Sequence, residues 1–113
     1  MRMIPGKVTI MNMEDERKRD YCKTILLLYQ TNVKCENNGL FSSKARKEIA
    51  AVDYALADPE DRQLVQHFFW GQIYDLELVE SASKAEKAKL DQIYDRILHQ
   101  MGKARLKEPI ITK

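Results

Sequence analysis

Apolar residues recur at helical spacing in block after block of this chain, and the residues that break helices are scarce. Tyr21, Cys22, Ile25, Leu26, Leu28, Tyr29 and Val33 form one such set. Ala45, Ile49, Val52 and Leu56 form a second, and Leu64, Val65, Phe68 and Phe69 a third. Leu90, Ile93, Tyr94, Ile97, Leu98 and Met101 form the last. An α-helix turns once in about 3.6 residues, so each set lies on one face of a helix. The 113 residues include only 4 glycines and 3 prolines, too few for a turn-rich strand architecture. These features predict an all-α fold: a small bundle of four to five helices in a single domain, with a helix-turn-helix-like unit at its C-terminal end.

Local signals divide that domain. Residues 1–12 read as a flexible or extended arm, since Pro5-Gly6 marks a turn and Val8-Thr9-Ile10 suits a short extended piece. Residues 14–57 read as an N-terminal helical pair. The first helix is expected from about Glu14 to Lys34, with Glu14, Asp15 and Glu16 complementing the positive end of its dipole. Asn37-Asn38-Gly39 stops it, and Leu40 and Phe41 then pin the connection to the core. The second helix runs from Ser43 to Ala57, capped by Ser42 or Ser43.

Residues 58–102 hold the helix-turn-helix-like unit. Asp58-Pro59-Glu60-Asp61 combines a cap, a proline at the first helical position and two dipole-favoured acids. That third helix should reach Trp70 and end at Gly71. A short helix from about Tyr74 to Ser81 follows. Ser83-Lys84-Ala85-Glu86 reads as a capping box opening the last helix, which Gly102 closes. Residues 107–113 read as a loose tail. The predicted core comprises Tyr21, Ile25, Leu28, Ile49, Val52, Leu56, Leu64, Val65, Phe68, Leu76, Ile93 and Ile97.

The composition, 44% hydrophobic and 32% charged, is that of a globular chain and not of a disordered or membrane one. No apolar run is long enough for a signal peptide or a bilayer span. Cys22 and Cys35, if carried on one helix, stand roughly 20 Å apart along its axis. A disulfide requires Cα atoms within about 7 Å. Both are expected to be reduced thiols, and a cytoplasmic location is expected with them.

No Gly-rich phosphate loop and no nucleophile elbow occur. His67 and His99 are isolated from the cysteines and lack metal-ligand spacing. The expectation is therefore a non-enzymatic protein with no metal and no cofactor.

Charge is unevenly distributed although the net value is only +2. Residues 58–82 carry six acids against Arg62 alone, whereas residues 83–113 carry eight bases against four acids. In a helix-turn-helix the shorter helix braces a longer one, whose N-terminal residues enter the major groove. Lys84, Lys87 and Lys89 would stand at that entry, Gln92 could meet an adenine edge, and Arg96, Lys103, Arg105 and Lys107 would add phosphate contacts.

Ala55-Leu56-Ala57-Asp58-Pro59-Glu60-Asp61-Arg62-Gln63-Leu64-Val65, followed by Phe68-Phe69-Trp70-Gly71, resembles the promoter-reading domain of sigma factors. With Ile73-Tyr74-Asp75-Leu76-Glu77-Leu78 and Tyr94-Asp95-Arg96-Ile97-Leu98, residues 50–102 resemble the ArpU-like phage late-transcription regulators. The turn here, Ser81-Ala82-Ser83-Lys84, has no glycine. The resemblance implies a small transcription regulator of phage or mobile-element origin, with duplex DNA as its partner. RNA polymerase would be met through the acidic middle. The alternative is a helical protein–protein interaction module that binds no DNA, with Phe69, Trp70, Glu77 and Glu80 as its surface.

Overall fold

A computed structural model describes residues 3–37, 39, 42–71 and 76–111, with side chains for residues 13–36, 39, 42–71 and 77–111. Five α-helices follow in order: α1 (Met3–Asn37), α2 (Ser43–Ala55), α3 (Pro59–Phe69), α4 (Leu76–Glu80) and α5 (Lys84–Gln100). There is no strand among the described residues. The expectations for Leu40, Phe41, Tyr74 and the Leu76 side chain lie outside what is described.

Local chemistry sets most boundaries. The Ser42 hydroxyl accepts from the Ala45 N–H and starts α2, and the Asp58 carboxylate accepts from the Glu60 N–H and starts α3 with Pro59 in the first turn. The Ser83 hydroxyl accepts from the Glu86 N–H at 3.1 Å while the Glu86 carboxylate accepts from the Ser83 N–H at 2.9 Å, a complete capping box for α5. At the other end of α5, Gly102 takes φ +72°. Its N–H reaches the His99 carbonyl, and the Lys103 N–H reaches that of Leu98. These two bonds close the helix as a Schellman motif.

Residues 3–12 correct the expected arm. They are the opening turns of α1. A proline in the first turn of a helix costs little, because its missing N–H would have had no intrahelical partner there. Glu14, Asp15 and Glu16 therefore sit inside α1 and not at its start, and the dipole does not explain them.

α5 occupies the centre and packs on α1, α2 and α3, while α1 also packs on α2 and α3. The core gathers Cys22, Ile25 and Leu26 from α1, and Ala51, Val52 and Ala55 from α2. Val65, Phe68 and Phe69 from α3, Leu90, Ile93, Tyr94, Ile97 and Leu98 from α5, and Leu56, Val79 and Leu106 complete it. Leu28, expected inside, is 44% exposed. It lies about 160° of arc around α1 from the buried Leu26. Tyr21 and Leu64 are partly buried against the cluster rather than within it.

Cys22 and Cys35 are both free thiols on α1, Cys22 fully buried and Cys35 partly so. Burial pushes the Cys22 thiol up to about 12, and its S–H faces the Tyr94 carbonyl at 3.5 Å. A thiol so placed presents almost no thiolate at neutral pH. Alkylation of the native protein is expected to modify Cys35 first and to leave Cys22 unlabelled until denaturant is added. Mass spectrometry of the labelled peptides reads this, and equal rates at the two positions would show that Cys22 is accessible.

The expected loose tail is also corrected as far as Ile111. Beyond α5 the chain returns across α5 and α1 as an irregular strap that bends at Lys107 and Glu108. Leu106 is buried, and its N–H donates to Asp95 at 2.9 Å. The N–H groups of Lys107 and Glu108 each donate to Asp15 at 2.9 Å, and that of Ile110 donates to Asp91 at 2.7 Å. A segment outside helix and sheet needs other acceptors for its amides, and carboxylates are strong ones.

Burial raises the Asp15 carboxyl, but the amides of Lys107 and Glu108, with Arg19 and Lys18, outweigh it and hold the group below its ordinary value. A depressed acid stabilises the fold above its unfolded value and loses that contribution as pH falls through its folded one. The strap is thus expected to hold at neutral pH and to loosen below 3.8. Hydrogen-exchange protection of the Lys107 and Glu108 amides should fall across that range and should already be low in Asp15→Asn. Protection unchanged in that variant would remove Asp15 as the anchor.

Candidate nucleic-acid interface

α5 buries Ala88, Leu90, Asp91, Ile93, Tyr94, Ile97 and Leu98. What remains outside is a stripe of Ala85, Lys89, Gln92, His99 and Gln100, all exposed, with partly exposed Arg96 among them. The stripe follows from the 3.6-residue period once the other faces are taken by three packing partners. α4, the helix expected to brace a recognition helix, is a single turn that contributes Val79 to the core. The bracing of α5 comes instead from α1, α2 and α3.

The candidate DNA-contacting residues do not share one face. Lys84, Lys89, Gln92 and Arg105 are exposed. Lys87 points about 160° of arc away from Lys89. It lines a separate hollow of about 310 Å³ whose walls include Glu16, Lys23, Glu80, Leu90 and Ile110. The expected single patch of Lys84, Lys87 and Lys89 is therefore split.

Arg96 has a structural duty that its place in the sequence does not reveal. Its Nη1 donates to Asp61 at 2.7 Å and to the Ala55 carbonyl at 3.0 Å, tying α5 to α3 and to the end of α2. The Asp61 side chain is 5% exposed, so this acid serves the core as well as the start of α3. Lys103 lies over the Tyr21 ring at 5.5 Å, and the Lys107 ammonium pairs with Glu14 at 2.7 Å. The Glu14 carboxyl is held below its ordinary range by that hydrogen bond to Lys107. By contrast, the side chains of Lys84, Lys89 and Arg105 form no hydrogen bond or ion pair among the described residues.

The alternative partner surface loses its aromatic anchors. Phe69 is only 4% exposed and belongs to the core. The Trp70 indole N–H donates to the Leu26 carbonyl at 2.7 Å, and its ring stacks on Tyr29 with centroids 5.0 Å apart. The Arg62 guanidinium covers the same ring at 5.5 Å. Phe69 is thus enclosed and Trp70 is partly buried, while Glu77 and Glu80 are exposed.

The stripe of α5 opens into a shallow groove of about 480 Å³ between α2, α5 and the start of the strap. Tyr54, Gln92, Asp95, Arg96, His99 and Arg105 line it. Tyr54 and His99 line this groove although neither was among the site residues expected from the sequence. The available signal is that Tyr54 falls off the apolar stripe of α2, about 160° of arc from Val52, so its ring has to face outward. Lys47 is also exposed and lies on the same face of α2 as Tyr54, two turns earlier. The strap delivers Arg105, since the Lys18 ammonium donates to the Arg105 carbonyl at 2.8 Å and Asp95 holds the next residue.

Among the described residues, no group of three His, Cys, Asp or Glu side chains is placed to hold a metal ion. No described helix is long and apolar enough to cross a membrane. Comparison with family models, with curated proteins and with solved structures found no match. The likeness to sigma-type and ArpU-like regulators accordingly rests on the residues of 50–102 alone.

Proposed function

We propose that this protein is a small transcription regulator that binds duplex DNA through the outer face of α5. Lys89 and Arg105 would contact phosphates, and Gln92 would reach a base edge, whereas Lys84 lies toward the Lys87 side of α5. One observation carries this reading. The fold uses its other central cations internally, Arg19 on Asp91, Arg62 on Trp70 and Arg96 on Asp61, yet leaves Lys89 and Arg105 free beside exposed Gln92 and His99. The resemblance to ArpU-like regulators points the same way. Of the rival module's aromatic residues, Phe69 is buried in the core and Trp70 is partly buried against it.

Duplex affinity measured across a salt series tests the proposal. Phosphate contacts release counterions, so affinity should fall steeply as salt rises. Lys89→Ala with Arg105→Ala should weaken binding on all sequences alike and flatten the salt dependence by about one unit for each phosphate no longer neutralised. Lys87→Ala, altering the hollow on the other side of α5, should bind like the parent. A parent that binds no duplex at low salt would end the proposal. A double variant equal to the parent would remove this face from it.

A further inference from the structure

A duplex lying on α5 does not account for Tyr54. An exposed aromatic ring can mark a contact surface, and Tyr54 is 54% exposed. It stands in the groove beside two guanidinium groups, an imidazole and a carboxamide. The groove's one carboxylate, Asp95, has Oδ1 occupied by the Leu106 N–H, and the acid facing Arg96 is already paired with it. What the groove offers a ligand is therefore an exposed aromatic ring, a free guanidinium, hydrogen-bonding side chains and the second oxygen of Asp95. Its volume falls within the range of about 300–1,000 Å³ usual for small-ligand sites.

That combination is complementary to one nucleotide. A nucleobase stacks on an aromatic face whatever its identity, and a guanidinium binds the attached phosphate in a bidentate fork. We propose that the groove between α2 and α5 holds a single unpaired nucleotide, its base on Tyr54, its phosphate on Arg105 and its edge toward Gln92 and His99. A base paired within a duplex is stacked on both sides and cannot meet Tyr54, so the site favours DNA bearing an unpaired nucleotide over continuous duplex. The preference rests on the DNA-binding reading; the nucleotide site itself does not.

The test compares four probes on the intact chain: a blunt duplex, the same duplex with a one-nucleotide bulge, a single strand and a fluorescent adenosine monophosphate analogue. The bulged duplex should bind about tenfold tighter than the blunt one, within the range for stacking of one base. Tyr54→Ala should abolish that difference and leave blunt-duplex affinity unchanged, while Tyr54→Trp should keep it. Because Tyr54 is exposed, the variants should fold as the parent does, which circular dichroism checks. Equal affinity for bulged and blunt duplex, or a Tyr54→Ala variant that weakens both equally, would overturn the inference. If no DNA bound but the nucleotide analogue did, in a Tyr54-dependent manner, the nucleotide site would stand and the proposed DNA function would fall. Binding of none of the four probes would sink both.

Discussion

Asp91→Ala is expected to destabilise the fold by about 3–5 kcal/mol, the usual loss when one partner of a buried ion pair is removed. The Asp91 side chain is 3% exposed, and that of Arg19 opposite it is 14% exposed. Arg19 reaches it with a two-pronged contact, Nε to Oδ1 at 3.0 Å and Nη2 to Oδ2 at 2.9 Å. The guanidinium is correspondingly raised above its ordinary value, first by the hydrogen bonds to Asp91. Alanine would leave that cation with Glu16 alone as its ion-pair partner and would also release the Ile110 N–H of the strap. Replacing both partners by apolar residues, Arg19→Met with Asp91→Leu, should recover much of the loss, because no charge is then stranded. Denaturant unfolding of the three variants reads the comparison. An Asp91→Ala variant within about 1 kcal/mol of the parent, far below the range for a stranded buried charge, would show that solvent reaches the pair.

Phe68→Ala is expected to cost about 3–5 kcal/mol as well, through a different mechanism. The ring is 3% exposed and sits in the main cluster with Val65 and Phe69 of the same helix. Truncation removes the transfer energy of the ring and leaves a cavity that α1, α3 and α5 cannot close without moving together. His67 rests edge-on against the Phe68 ring with centroids 4.7 Å apart, so its chemical shifts should report the same change. Phe68→Leu should cost far less, since most of the volume is kept. A loss below about 1 kcal/mol for Phe68→Ala, small beside the truncation range, would mean that α3 is rotated from the position described.

The all-α class and most helix ends are legible in the sequence because they depend on neighbours in the chain. Asp58 with Pro59, Ser83 with Glu86, and Gly102 each act within a few residues, so their types and spacing carry the information. The start of α1 misleads for the same reason. Pro5-Gly6 is a turn signal locally, but a proline in a first helical turn is no obstacle.

Which face of each helix turns inward is only partly legible. Leu28 belongs to the same apolar set as Leu26, and only packing on α2, α3 and α5 decides that Leu26 is enclosed and Leu28 is not. Trp70 suits a surface equally well until Tyr29 and the Leu26 carbonyl prove to be its partners. The acids are least legible of all. Asp15, Asp61 and Asp91 are ordinary helix acids in the sequence, and each acquires its role from a group far along the chain, Lys107, Arg96 and Arg19.

The same asymmetry governs the candidate site. Sequence alone determined that bases and Gln92 lie on the last helix, because a helical pattern fixes which residues an element contains. Only the tertiary structure decided that Lys87 turns away, that Arg96 is tied to Asp61, and that Tyr54 and Arg105 arrive from α2 and the strap. A site made from three separate segments depends on how elements cross, and that crossing is set by the burial of side chains distant in sequence.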